Sequence, residues 1–389
     1  MGIDNNIKIA LVHDWLSKEY KGGAEKVLKE IGEALSKKDL NYDLYTLVNH
    51  LDKDNFKELN QQKIFTSIIQ NLPFSKKHFH NYLPLFPFAI EQFDLDQYNL
   101  VLSSSHSVAK GVITSPDQLH ISYIHSPMRY AWDQMHIYLN QSSYKKLRLT
   151  IFLRLILQSL RKWDYISSVR VDKFIANSSF TAKRIIKYWG RESVVIHPPV
   201  NTNYFLPNEN RGDFYLSVSR LVPNKRVDLL IKAFNKVDFP LFIVGEGPEK
   251  KDLQRIANKN IKFLGFQKDF EIKKLMENCR AFLYAGIEDF GIAPVEAMAA
   301  GAPTIAYGKA GILDTVNCIT SNSKNPTGII FDDQSPDALK ECVQYFEDKK
   351  IWKKFSSFEI NSWSQKFGVE KFHKKFTSFI DQSFTEFKN

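Results

Sequence analysis

Two glutamates, Glu288 and Glu296, stand eight residues apart in GIEDFGIAPVEAMAAGAP, residues 286–303. Carboxylates that border one crevice can hold hydroxyl groups, and here Gly291 between them frees backbone amides for an anion. Pro294 suits the first turn of a helix, which puts Glu296 near the third helical position. A carboxylate there stabilises the helix by about 0.3–1 kcal/mol, so Glu296 has a structural explanation that Glu288 lacks. Upstream, SVSRLVPNKRVDLL sets Arg220, Lys225 and Arg226 at a strand end and a helix start. Cations there oppose the helix dipole unless an anion offsets them, which points to a diphosphate rather than to solvated charge. FIVGEGPEKKDL turns at Gly245-Glu246-Gly247-Pro248 directly after a strand. That turn leaves room for a ligand but is weak testimony alone.

The N-terminal half has two comparable strand ends. LVHDWLSKEYKGGAEKVL ends a strand at His13-Asp14 and opens an amphipathic helix at Gly22-Gly23. Paired glycines let backbone approach an anion, and equally mark a tight turn. The pattern is neither a Walker loop nor G-x-G-x-x-G, which disfavours P-loop kinases and nicotinamide enzymes. YIHSPMRYAWD ends a strand at His125, followed by Arg129, Tyr130, Trp132 and Asp133. A lone strand-end histidine is more often structural than catalytic; its place at a ligand-binding edge keeps both readings open.

These residues need a scaffold that gathers strand ends. Continuous apolar, β-branched runs occur at 7–13, 42–47, 98–104, 120–125, 172–178 and 193–197. The rhythm restarts at 214–219, 240–245, 261–266, 280–286, 303–308 and 328–331. Helical patterns separate the runs, so two doubly wound α/β domains with parallel sheets are expected, joined near the Pro-Pro at 198–199. The expected division is 1–198, 199–355 and a helical segment 356–389. That last segment alternates aromatics and lysines at helical spacing and needs a surface to pack on.

With 389 residues, 43% hydrophobic and 25% charged, the chain can bury a sizeable core. A net charge of +10 asks for an anionic partner. The basic residues are spread along the chain rather than gathered in a stripe, so no nucleic-acid partner is expected. Cys279, Cys318 and Cys342 are scattered, which fits a reducing compartment and neither a disulfide framework nor a zinc site. No secretory signal or membrane span is read, and a cytoplasmic protein is expected. Residues 143–166 carry six basic residues against one acidic on an apolar background. They read as a buried helix with snorkelling stems or as a helix lying on an anionic membrane.

Taken together, EDFGIAPVE, with SRLVPNKR and IVGEGPE upstream in that order, resembles glycosyltransferase family 4 over nearly the whole chain. LPLFPFAIEQFDL, YIHSPMRYAWD and RKWDYISSVRVDKFIANSSFTAKRI look like its bacterial polysaccharide or O-antigen mannosyltransferase branch. The resemblance implies a GT-B fold, with two Rossmann-like domains facing a cleft and a C-terminal helix crossing back to the N-terminal domain. It implies retaining, metal-independent transfer of a hexose, with GDP-mannose favoured as donor and a lipid-linked saccharide as acceptor. No cofactor is expected, and an anionic membrane surface is a further partner on the inner face of the cell membrane. Arg220 and Lys225 would clamp the donor diphosphate, Glu296 the ribose and Glu288 the moving sugar. Phe290, Gly291 and Ile292 would offer backbone to sugar and phosphate. Glu246, Gly247 and Phe266 would border the nucleoside. Gly22 and Gly23 would face the β-phosphate, and His125 would contact the sugar. Asp14, Arg129 and Tyr130 would meet the acceptor. Asp289 stands where the family commonly has glycine, adding a charge near the sugar. A UDP-sugar or other nucleotide-sugar donor is the alternative, and a sugar-nucleotide epimerase of the same fold a more distant one.

Overall fold

The computed structural model describes residues 7–16, 22–51, 59, 61–141, 147–321 and 324–389. The chain divides into two compact units, one of residues 1–197 with 372–389 and one of residues 198–371.

The first unit is built on a seven-stranded sheet in the order β3-β2-β1-β4-β5-β6-β7, every pair parallel. Its strands are β1 (Ile9–His13), β2 (Tyr42–Thr46), β3 (Ile64–Thr66), β4 (Leu100–Ser105), β5 (Leu119–Ile124), β6 (Lys173–Ala176) and β7 (Val194–Val195). Alternation along β1 shows why its run is continuously apolar. Ile9 and Leu11 join a core with Leu28, Ile31 and Leu35 of the helix Gly23–Ser36. Ala10 and Val12 join another with Phe79, Phe86, Ile90, Leu157 and Leu160. Both faces are covered, so neither can be polar.

The second unit carries a six-stranded parallel sheet ordered β10-β9-β8-β11-β12-β13. Its strands are β8 (Tyr215–Val218), β9 (Leu241–Val244), β10 (Ile261–Gly265), β11 (Ala281–Tyr284), β12 (Thr304–Tyr307) and β13 (Gly328–Phe331). All twelve expected strands are present. The short edge strand β3 is additional, because three partly exposed residues carry too little periodicity to read.

The C-terminal segment differs from the single stretch 356–389. It breaks into the helix Ser357–Ser364, a 3-10 turn Gln365–Phe367 and the helix Val369–Lys388. The first helix stays in the second unit, where Ile360 and Phe367 enter the core and Val200 N donates to Phe367 O at 2.9 Å. From Phe372 the chain belongs to the first unit. Phe372, Phe376, Ile380 and Phe384 pack with Ile9, Leu11 and Ile121, each contributing roughly 1.5–3 kcal/mol of burial.

Candidate functional site

In the second sheet the chain winds outward in one direction from β8 and in the other from β11, so the switch point lies between these neighbours. Ligands of open α/β sheets bind beyond the strand ends at such a point. The loop after β8 carries Arg220 and Lys225, and the loop after β11 carries Glu288. They meet: Lys225 Nζ lies 2.5 Å from Glu288 Oε1, each side chain about one-fifth exposed. Lys225 also stands over the Tyr284 ring, 5.9 Å from its centroid. The neighbouring Arg226 has a left-handed backbone, φ 54°, and caps the helix Val227–Phe234. Its charge at that helix start is offset by Asp228, 3.0 Å away, whose carboxyl is held below its ordinary range by Arg226 and Lys232 against the effect of burial.

Close backbone packing binds the Gly245-Pro248 turn to the Arg220 loop. Leu221 N donates to Glu246 O at 2.9 Å, and a Cβ on Gly247 would fall 2.3 Å from Leu221 O. Only glycine fits there. The Glu246 side chain is exposed and pairs with Lys250 at 2.7 Å. Phe266 is 78% exposed just past the edge strand β10.

The opening stretch differs from its sequence reading in two ways. The helix begins at Ile292, with Gly291 as its left-handed N-cap at φ 92°, so Glu296 is its fifth residue and its first turn has no acid. Dipole stabilisation fades after the first turn, so that explanation for Glu296 lapses. Asp289 is buried, 4% exposed, rather than presented to a sugar, and Phe290 packs its ring on Phe367. A Cβ on Gly311 would fall 2.1 Å from Asp289 O, so this loop is pressed on the one before the helix Ile312–Thr315.

The first sheet has its own switch point, between β1 and β4. Asp14, just past β1, is fully buried. Its Oδ2 accepts the backbone N–H of His106 (2.6 Å) and Ser107 (3.0 Å), and its Oδ1 those of Val108 (2.5 Å) and Ala109 (2.8 Å). Four converging amides would hold a ligand anion, and here the chain supplies the anion itself. Asp14 therefore shapes the loop after β4 instead of meeting an acceptor, a correction to its expected role. His106, on that loop, places Nδ1 3.1 Å from Asp14 Oδ2 and its ring edge-on to Trp15.

His125 is nearly buried, and its Nε2 lies 2.8 Å from Ser104 Oγ. His13 Nδ1 donates to Ser104 O at 3.0 Å, which leaves Nε2 as an acceptor buried without a partner among the described residues. Burial, then the neighbouring His106, pushes the His13 pKa down to about 4 and that of His125 well below its ordinary value. Both rings are neutral at pH 7. Tyr130 Oη lies 2.7 Å from Ser107 Oγ, and Arg129 Nε donates to Ser126 Oγ at 3.2 Å. His125 thus meets the end of β4, and Tyr130 the loop that Asp14 holds.

Gly22 caps the helix Gly23–Ser36, but its N–H donates to Glu25 Oε2 at 2.9 Å. Burial raises the Glu25 pKa, and His106 opposes the rise. The far side of the loop is anchored by Lys110, whose ammonium is buried 3.0 Å from Asp164 Oδ1, while Asp164 Oδ2 accepts from Trp132 and Trp189. Sequence reasoning passed over His106, Glu25 and Lys110. The strand-end rule that found His125 would also have found His106, at the end of YNLVLSSSH.

Among the described residues, the one His/carboxylate grouping of metal-ligand type is Glu30, Glu33 and His373. His373 Nε2 lies 2.9 Å from Glu30 and its Nδ1 3.1 Å from the Lys37 ammonium, so both ring nitrogens already clamp the C-terminal helix.

A family model described as Glycosyltransferase Family 4 matches residues 21–204, and one described as Glycosyl transferases group 1 matches residues 205–361. An uncharacterized glycosyltransferase of Methanocaldococcus jannaschii is 28% identical over 225 residues, 56% of this chain and 62% of its own length. A GDP-mannose-dependent monoacylated alpha-(1-6)-phosphatidylinositol monomannoside mannosyltransferase of Corynebacterium glutamicum is 32% identical over 149 residues, 34% of this chain and 37% of its own. The matches thus cover 62% or less of these relatives' length. HepE from Anabaena, solved in complex with UDP-glucose, superposes with TM-score 0.68 at 18% identity over 97% of this chain and all of that one. Sucrose-phosphate synthase from Thermosynechococcus elongatus does so at 0.69 and 16% identity, over 98% of this chain and 100% of its own. At such identities the likeness speaks to fold. These two glycosyltransferase models match in tandem, each over one doubly wound parallel sheet, and the chain has the GT-B fold.

Proposed function

We propose that the chain is a retaining hexosyltransferase that moves mannose from GDP-mannose to a lipid-linked saccharide in bacterial surface polysaccharide synthesis. The observation that carries this reading is the Lys225–Glu288 pair at the second sheet's switch point, beside the left-handed Gly291. A cation beside backbone donors suits a diphosphate, and a carboxylate beside it suits sugar hydroxyls. Donor binding then exchanges the internal ion pair for two ligand contacts. Arg220 and Lys225 stabilise the charge that develops on the leaving diphosphate, and Glu296 holds the ribose. The acceptor hydroxyl attacks the anomeric carbon as the bond to the diphosphate oxygen breaks. It enters from the face on which the diphosphate leaves and passes its proton to that departing oxygen, so the stereochemistry is retained without a covalent intermediate, in contrast to a paired-carboxylate glycosidase.

On the first unit, neutral His125 offers a hydrogen bond to the sugar, and Arg129 and Tyr130 serve the acceptor. Asp14 and Lys110 hold their loop. We place the enzyme in the cytoplasm, peripheral on the inner face of the cell membrane. No described helix is long and apolar enough to cross a membrane. The mannosyltransferase relative favours GDP-mannose, whereas the UDP-glucose complex of the HepE structure keeps a UDP-sugar as the second reading.

A thermal-shift screen against GDP, UDP, ADP and their sugars separates the two. The true donor, at 100 times its Kd, stabilises by about 2.7 kcal/mol. Glu288→Ala should keep most of that shift and lose sugar transfer. No shift with any nucleotide, or unchanged turnover in the variant, would refute the reading.

A further inference from the structure

In SSFTAKRIIKYW, residues 178–189, an arginine stands at a position that helical spacing turns inward. The helix Ser179–Trp189 buries Thr181, Arg184, Ile185 and Trp189, and Arg184 is only 5% exposed. A buried guanidinium needs partners for its donors. Nη1 donates to Ser126 Oγ at 3.0 Å and Nη2 to Asp133 Oδ1 at 2.7 Å. The group also lies over the rings of Phe180 and Tyr188, one helical turn to either side. Both hydrogen-bond partners belong to the segment that follows β5, which is turn rather than helix or strand and carries Arg129 and Tyr130. One rigid fork thus staples that segment at two points, Ser126 and Asp133.

Other side chains pin the rest of the segment. Asn177 donates to His125 O at 2.8 Å, Arg161 to Ala131 O at 2.7 Å, and Trp132 to Asp164 Oδ2 at 2.7 Å. Ser126 Oγ links the staple to Arg129, whose Nε donates to the same oxygen at 3.2 Å. That hydroxyl gives its own proton to Pro127 O, so its two lone pairs and its proton are all used. Two guanidinium groups on one hydroxyl repel each other, a poor choice if the turn needed only to be stable. The arrangement does fix where the Arg129 guanidinium stands. We infer that Arg184 is a positioning residue for sugar transfer, setting Arg129 through Ser126 and closing the segment through Asp133. In that role it acts through Arg129, and so depends on the proposed function, in which Arg129 and Tyr130 serve the acceptor.

Steady-state rates of the full chain with Arg184→Lys test it. The donor is the nucleotide sugar picked out by the thermal-shift screen, and the acceptor the polyprenyl-linked saccharides extracted from membranes of the producing cells. A lysine keeps the charge and loses the fork. The kcat/KM for acceptor should fall about a hundredfold, while donor KM and the slow hydrolysis of donor by water change less than about twofold. Arg129→Met should cost a similar factor, and the double variant no more than either single one, since the two act in series. Lys183→Met, which removes an exposed cation from the same helix, should behave like wild type. Hydrogen exchange of residues 126–133 should quicken in Arg184→Lys, with the strands of the first sheet unchanged. The role is overturned if Arg184→Lys transfers like wild type, if donor hydrolysis falls in step with transfer, or if the two substitutions multiply. Loss of protection across the whole first unit would mark a pair that only stabilises the fold, and overturns it too. If the wild type transfers no sugar, the proposed function falls and exchange at 126–133 decides alone: a quickened rate keeps the staple and an unchanged one overturns it.

Discussion

All ten histidines lie in the first unit, and the second has none. Three are buried and neutral. Burial, then His106, brings His13 down to about 4; burial, then Lys110, brings His120 down to about 3; burial drives His125 well below its ordinary value. A histidine whose folded pKa is depressed contributes stability that is complete above its unfolded pKa and is lost as pH falls toward the folded value. Between pH 7.5 and pH 5.0 the unfolded chain takes up protons that these rings refuse. With an unfolded pKa of about 6.5, His13 and His120 each cost about 2 kcal/mol at pH 5.0, about 4 kcal/mol together, and His125 adds a loss of the same sign. Glu25 works the other way, since its raised carboxyl gains stability on acidification, but it is one group against these three, and burial lowers His50 and His80 as well. A loss of that size is a large part of the stability of a typical domain. Urea titrations read by pulsed hydrogen exchange, with peptides from both units, should show the first unit's midpoint falling by about 1.5–2 M while the second moves far less. His120→Asn should remove about 2 kcal/mol of that loss. The reasoning fails if the two units lose stability in parallel, or if the second opens first.

The site itself sets two more expected outcomes. Asp14→Asn turns one carboxylate oxygen into a donor, stranding two of the four buried amides of the His106 loop; it should cost about 2–6 kcal/mol, measured as a shift in the first unit's urea midpoint, with nucleotide binding by the second unit unchanged. In the proposed mechanism Arg220 and Lys225 supply the positive charge, so sugar transfer should persist in EDTA; activity lost to the chelator and restored by Mn²⁺ or Mg²⁺ would refute the metal-independent mechanism.

The linear chain carried the architecture. Twelve runs such as IKIALVH and RAFLYAG are apolar without alternation because parallel strands are covered on both faces, so strand positions and the repeat of the pattern were legible. Strand-end motifs were legible for the same reason: Arg220, Lys225, Glu288 and His125 all stand at or just past the end of an apolar run. Contacts between loops far apart in the chain were decided only by folding. Lys225 and Glu288 are 63 residues apart, and their pairing depends on β8 and β11 being neighbours. Asp14 looked like a ligand contact because a strand-end carboxylate is one by position. Only the register of β1 on β4 brings it beneath four amides of residues 106–109 and makes it part of the scaffold. The start of the helix at Ile292 was likewise hidden, since Pro294 is tolerated anywhere in a first turn and the left-handed Gly291 sets the true cap. Local propensity is written in neighbours along the chain, whereas charge compensation depends on which strand ends the sheet brings together.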